Sequence, residues 1–188
     1  MSGFSGSGKT YLAHRLAAGL GAIHLRSDLE RKRLAGIGEL DRSGSELGQG
    51  LYSVEMTRRV YERLLEATRP VLQGGLTAIV DATFNRRAER ALFTGLARQL
   101  GVPICVIRCE APEQTLKSRI LSRELAGMDA SEAGLSVLAW QQRNYEAVHE
   151  GEGIRAIVAQ TDQPGELDRV RDEISRRRRG ATPSPSPP

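Results

Sequence analysis

Short aliphatic and β-branched runs alternate along the chain with longer stretches whose apolar positions recur every three or four residues. A parallel sheet wrapped by helices produces that alternation, because each strand is buried on both faces and each helix along one stripe. Leu12, Leu16 and Leu20, spaced by four, predict a helix over 9–20 that Gly19 and Gly21 end. A short strand over 22–26 follows, then a helical turn through Leu34 with Ser27 as its cap. Residues 35–50 hold five glycines and few apolar side chains, which predicts a mobile loop. A long helix is expected over 53–72, with Pro70 as its candidate kink and Gly74-Gly75 as its stop. Leu76-Thr77-Ala78-Ile79-Val80-Asp81 is the clearest strand in the chain. Beyond it the pattern predicts a helix over 86–100, a strand over 103–109 and a helix over 112–125 that runs into a polar segment at 126–130. A helix over 131–148, a strand over 154–159 and an amphipathic helix over 164–175 complete the α/β reading. Four strands are legible in all.

One segment carries chemistry on its face. Gly3-Phe4-Ser5-Gly6-Ser7-Gly8-Lys9-Thr10 satisfies G-x-x-x-x-G-K-[ST] at every position. Its glycines let the backbone wrap closely with N–H groups turned inward, a cradle for phosphate oxygens. The helix that begins at Lys9 adds its positive dipole end. The expected nucleotide contacts are Gly3, Ser5, Gly6, Ser7, Gly8, Lys9 and Thr10. Lys9 would reach the β- and γ-phosphates, and Thr10 would offer its hydroxyl to Mg²⁺. A glycine linker can imitate part of this pattern, but it does not set Lys-Thr at the head of a well-patterned helix.

Downstream residues extend the candidate site. Asp81 closes its strand and could hold Mg²⁺ through water and border the substrate, or act only as a turn residue. Asp28 follows the second strand, and ligands of open α/β sheets bind beyond the carboxyl ends of strands. There Asp28 could take the proton of an attacking hydroxyl while Arg31, one turn on, holds the acceptor; the plain alternative is a first-turn Asp favoured by the helix dipole. Arg119 and Arg123, four apart on one helix face, could close over the phosphates and offset transition-state charge, or simply be solvated. Arg86, Arg87 and Arg90 flank the Asp81 loop, where an exposed helix face would look the same.

Composition narrows the classes. The formal charge of +4 belongs entirely to Arg176, Arg177, Arg178 and Arg179, so the body is neutral and lacks the broad cationic face of a nucleic-acid binder. The Arg/Pro/Ser segment 176–188 is expected to be disordered. No run approaches the roughly 18–20 apolar residues of a membrane span, and no signal-like leader is visible, so a cytoplasmic location is expected. Cys105 and Cys109, four apart in a strand and so about 13 Å apart, cannot pair with each other. None of the three histidines stands beside a Cys or carboxylate at ligand spacing, which predicts no transition-metal site.

Taken together, GFSGSGKT at 3–10, RSDLERKR at 26–33, VDATF at 80–84 with Arg87 and Arg90 after it, and the Arg119/Arg123 helix resemble a known group. It is the small bacterial P-loop predicted kinases related to gluconate kinase, adenylylsulfate kinase, zeta toxin and the kinase domain of phage polynucleotide kinase, often fused behind an aminoglycoside-phosphotransferase-like domain. The segment from Asp129 to Gln142 is similar too. The resemblance covers residues 1–175 and implies a P-loop NTPase three-layer sandwich with a lid at about 117–130 that closes on ATP. It also implies Asp28 as general base and adenine near Thr161-Asp162-Gln163. The expected activity is ATP-dependent transfer of the γ-phosphoryl group to a small-molecule hydroxyl. A nucleotide-binding regulatory module serving a fused or separate partner is the alternative, and polynucleotide 5′-kinase activity is less favoured by the neutral body. Members of the group begin with a buried central strand before the cradle, whereas only Met1 and Ser2 precede Gly3 here. The expectation is therefore a sheet lacking its first strand in a shortened chain, poorly stable or inactive as it stands, with an N-terminal fusion domain as one source of the missing part. The cradle alone does not choose between ATP and GTP.

Overall fold

The computed structural model describes residues 1–41, 43, 50–127 and 129–180. Part of the expected 35–50 loop, Met128 of the lid and the tail from 181 lie outside the described residues.

Helix α1 (Lys9–Leu20) leads to strand β1 (Ile23–Arg26), helix α2 (Ser27–Ala35) and helix α3 (Val54–Gln73). Strand β2 (Ala78–Asp81), helix α4 (Arg87–Leu100) and strand β3 (Cys105–Glu110) follow. Helices α5 (Glu113–Ala126) and α6 (Leu135–Arg143), a 3-10 turn at Glu150–Glu152, strand β4 (Arg155–Gln160) and helix α7 (Glu166–Gly180) complete the order. Among the described residues no helix is long and apolar enough to cross a membrane.

All pairings are parallel. β1 lies along β2 with His24 opposite Ile79 and Arg26 opposite Asp81, and β3 lies along β4 with Ile107 opposite Ile157. Met1 and Ser2 stand between the two pairs: the Met1 nitrogen donates to the Val80 carbonyl, and Ser2 bridges to Arg108 in the parallel sense. Among the described residues the sheet is thus two parallel pairs joined at one end through Met1 and Ser2.

Strand alternation decides which side each core residue serves. Ile79 and Ile107 turn toward α1 and α7, where they meet Leu12, Leu16 and Val170. Val80 turns the other way, toward Val60, Leu64 and Phe93 from α3 and α4. The three-layer α/β arrangement follows directly.

Several boundaries differ from the sequence reading. Ser27 is the first residue of α2 rather than its cap, which is Arg26 in an extended conformation; Ser53 does cap α3, accepting from the Met56 amide. The helix expected over 131–148 is confined to α6, since Asn144 folds its amide back onto the Trp140 carbonyl and stops it. Conversely, α7 runs through Arg176 to Gly180, a stretch expected to be disordered. Arginine is a good helix former, and Arg176 and Arg177 both pair with Glu173 one turn back.

Candidate active site

Residues 3–10 form a tight loop between Ser2 and α1. Gly6 and Gly8 adopt φ of 78° and 77°, which only glycine takes without strain. A Cβ at Gly6 would lie 2.5 Å from the Leu116 carbonyl oxygen, so the loop's path also depends on there being no side chain. The loop is tied down on several sides. Gly3 N–H donates to the Thr83 carbonyl (3.2 Å), and Ser5 N–H donates to Gln141 Oε1 (2.8 Å). The Thr161 hydroxyl donates to the Ser7 carbonyl (2.8 Å).

Within this loop one group, Lys9, is poised for an anion. Lys9 arches back so that Nζ donates to the Phe4 carbonyl at 2.7 Å. Burial draws its ammonium below the ordinary lysine range against the attraction of Asp81 and Asp28, the cost of holding a cation ready away from water. Ser7 Oγ is buried without a hydrogen-bond partner. It lies on the Gly3 side of the loop and is not part of the cavity wall, so the group a phosphate oxygen would meet is Lys9.

Thr10, at the second position of α1, donates from Oγ1 to Asp81 Oδ2 at 2.7 Å. The same carboxylate oxygen lies 3.3 Å from His24 Nε2. Burial pushes the Asp81 carboxyl upward, yet the His24 hydrogen bond, the Lys9 charge and the Thr10 hydroxyl outweigh it and hold it below its ordinary range. A hydroxyl beside an ionised carboxylate at the mouth of a phosphate cradle is a donor set suited to a hard divalent cation such as Mg²⁺. His24 was not singled out by the sequence. It sits diagonally across from Asp81 on the same face of the β1–β2 pair, a relation visible only once the register is known.

Arg119 reaches the cradle from α5, donating to Gly6 O (3.3 Å), Thr161 Oγ1 (2.9 Å) and Thr161 O (2.9 Å). Arg123, one turn on, donates to the Ala133 carbonyl. Both line a cavity of about 700 Å³ that they share with the cradle, Asp81, Asp28 and Arg31. Beyond these, Tyr52 and Trp140 form aromatic walls. The Arg31 guanidinium lies 5.5 Å from the Tyr52 ring centre and donates to Leu51 O (2.7 Å), and Arg86 lies 5.9 Å from the Trp140 ring centre. Burial, then the nearby Asp28 charge, pushes the Tyr52 hydroxyl well above its ordinary value, so it remains a neutral donor. Tyr52 carried no local signal of a site in the sequence, whereas Trp140, Gln141 and Thr161 entered it only through segments of the resemblance.

The three arginines after Asp81 part company. Arg86 and Arg87 are both exposed; Arg86 caps α4 with Glu89 and lines the cavity, and Arg87 does not. Arg90 is neither exposed nor in the cavity wall: it is buried and paired with Glu152 through Nε and NH2 at 2.7 and 2.8 Å. Neither cysteine is in a disulfide, and burial pushes the Cys109 thiol up to about 11.

A cradle, a hydroxyl–carboxylate pair and a shared cavity define a nucleotide-binding type of site, and comparison with known sequences places it. The AAA domain profile matches residues 1–148. The chain belongs to the AAA domain family. Over 149 residues this AAA domain is 30% identical to uncharacterized protein Rv2004c of Mycobacterium tuberculosis, covering 79% of the chain but only 30% of that protein. The chain therefore spans about a third of the length of the curated relatives it matches. Among solved structures the domain resembles a sugar kinase from Janibacter sp. HTCC2649 with TM-score 0.68 and 22% identity, over 97% of this chain and 96% of that one. It also resembles the APS kinase of Mycobacterium tuberculosis with TM-score 0.62 and 19% identity, over 93% and 92% of the two chains. The fold is that of P-loop kinases.

Proposed function

We propose that this domain is an ATP-dependent kinase that transfers the γ-phosphoryl group to a hydroxyl of a small molecule. The observation that carries the reading is the shared cavity: Asp28 lines the same space as Lys9, Thr10 and Asp81. The APS kinase that the fold resembles is described in complex with AMPPNP and APS, a nucleotide and a small acceptor together.

In this reading the amides of Gly6, Gly8, Lys9 and Thr10 and the Lys9 ammonium hold the polyphosphate, releasing Lys9 from the Phe4 carbonyl. Thr10 and Asp81 hold Mg²⁺, which supplies charge neutralisation on the phosphate oxygens. Arg119 and Arg123 add positive charge from the α5 side, and Thr161 keeps Arg119 aimed at the cradle. Arg31 and the aromatic walls orient the acceptor. Asp28 accepts the hydroxyl proton as that oxygen bonds to the γ-phosphorus and the bridging P–O bond breaks, leaving ADP. Positioning and charge do most of this work, because the transferring group needs little covalent help.

An ATP-consumption screen over sugars, amino sugars and nucleosides tests the activity. Once an acceptor is found, Asp28→Asn should lower kcat at least ~100-fold, the usual worth of a general base, with ATP affinity unchanged within a few-fold. Equal loss of both would give Asp28 a structural role, and ATP hydrolysis indifferent to every acceptor would favour a regulatory module instead.

A further inference from the structure

Lys32 is the most deeply covered charge on α2, and the reaction proposed above gives it no task. It follows Asp28 by four residues, so the two lie on one face of the helix, a turn apart. Its ammonium lies 3.2 Å from Glu132 Oε1 and also donates to the Asp41 carbonyl; Glu132 is itself only 7% exposed. Glu132 further accepts from the Ser43 N–H and hydroxyl, at 3.0 and 2.8 Å. Burial pushes the Glu132 carboxyl upward, but the Ser43 and Lys32 hydrogen bonds outweigh it and hold it below its ordinary range, so the carboxylate stays charged. A second pair acts on the same segment. Arg26, at the end of β1, donates to Asp129 Oδ1 at 3.3 Å, and that oxygen also accepts the Ser131 N–H at 2.9 Å. Residues 129–133 are thus tied by two opposite-charge pairs to the end of β1 and to α2.

What that segment holds in turn is Arg123. The Ala133 carbonyl, next to Glu132, accepts from Arg123 Nη2, while Arg123 Nε is buried with no hydrogen-bond partner. Among the described residues it is therefore Ala133 that fixes by hydrogen bonding where this guanidinium points. Arg123 lines the cavity with Lys9 and Thr10, and Asp28 and Arg31 line it too. We propose that Lys32 and Glu132 are positioning residues for Arg123: the buried pair ties the aim of this guanidinium to the helix that carries Asp28. The pair's role rests on the placement of Arg123 at the phosphates in the reaction proposed above. Its direction follows from the chemistry of a covered ion pair. Removing the ammonium leaves Glu132 covered and short of its counter-charge, a costlier arrangement than turning the carboxylate out to water. Ala133 moves with it, and Arg123 loses the carbonyl that holds it. An arginine that the nucleotide itself must order gives up rotamer freedom on binding, so the nucleotide binds more weakly than to one already held.

A double-mutant cycle on affinity for a non-hydrolysable ATP analogue with Mg²⁺, read by calorimetry, tests the link without an acceptor. Arg123→Met and Lys32→Met should each weaken binding about tenfold, and the two together should weaken it no more than ~tenfold, because Lys32 acts through Arg123. Glu152→Ala breaks a buried pair outside this cavity and should leave the affinity unchanged; an equal loss there would overturn the proposal, since general destabilisation would then explain both. Losses that multiply to ~100-fold in the double variant would overturn it as well. So would a Lys32→Met protein that binds as the unsubstituted one does while Arg123→Met binds more weakly. No effect of Arg123→Met would instead take Arg123 away from the phosphates, overturning that part of the proposed function and the role of the pair with it. If Lys32→Met does not fold, Glu132→Gln enters the same cycle, keeping the side chain's shape without its charge. A loss of at least ~3-fold that vanishes beside Arg123→Met supports the proposal, and no loss, or one that persists there, overturns it.

Discussion

Arg90 and Glu152 join the start of α4 to the 3-10 turn that precedes β4, and removing Glu152 measures how much that join stabilises the fold. Their side chains are 1% and 4% exposed, and the guanidinium also donates to the Phe84 and Ala147 carbonyls at 2.9 and 3.2 Å. Glu152→Ala would leave a covered cation with its carbonyl contacts but no counter-charge, which costs about 3–5 kcal/mol for a buried pair. The pair lies under the short 145–152 segment rather than inside the sheet, so water can enter the vacated space. The lower end, about 3 kcal/mol, is the expected loss. With a urea slope of about 2 kcal/mol/M, the unfolding midpoint should fall by roughly 1.5 M. Arg90→Met should cost a similar amount, since it strands the carboxylate. Combining Arg90→Met with Glu152→Leu should cost much less than the two single losses added together, because an apolar pair of similar volume carries no desolvated charge. Single shifts under about 0.5 M, or a double loss equal to the sum, would refute the claim that this pair is a structural clamp.

Two further outcomes follow from named contacts. Thr161→Val keeps shape but removes the hydroxyl that donates to Ser7 O and accepts from Arg119, so affinity for a non-hydrolysable ATP analogue should weaken about tenfold by calorimetry; unchanged affinity would show that Thr161 does not organise the cradle. The Met1 ammonium has its pKa lowered from 8.0 in the folded state, so the unfolded chain binds more protons between the lowered value and 8.0. Stability should therefore rise as pH climbs through that window and level off above it. Urea midpoints from about pH 6 to 8.5 should show the rise in the free-amine protein and lose it after Nα-acetylation, and parallel profiles would count against it.

What the sequence made legible is what depends on near neighbours. Leu12 and Leu16 mark the buried stripe of α1, Gly21 its end, and the glycine spacing of residues 3–10 the loop, because helix period and backbone freedom are local properties. What it hid depends on which strand lies beside which. The approach of His24 to Asp81 needs the β1–β2 register, and the burial of Arg90 needs the 145–152 segment folded over α4. Lys32, 2% exposed and 3.2 Å from Glu132, reads as one more charge in RSDLERKR until the chain returns a hundred residues later. The Tyr52 and Trp140 walls are likewise assembled from distant segments. Helix ends shifted where a side chain intervened: Asn144 shortened α6, and Glu173 drew the arginines of α7 into one more turn.

The Met1–Ser2 segment and the candidate active site are joined by backbone contacts, and this bears on how the loop at 3–10 is positioned. Thr83, two residues past Asp81, accepts from both the Gly3 amide and the Ser2 hydroxyl, while Ser2 is held to β3 by two more bonds. These contacts, together with the Thr10–Asp81 hydrogen bond, fix the placement of the cradle relative to Asp81. Phe84 adds to the tension there: it sits at φ 49°, a strained conformation for an aromatic residue, held by the Tyr61 hydroxyl and by edge contacts with Tyr61 and Phe93. Because the Thr83 carbonyl receives both bonds, a backbone change at Phe84 is passed to Gly3 and so to the path of the loop that carries Lys9.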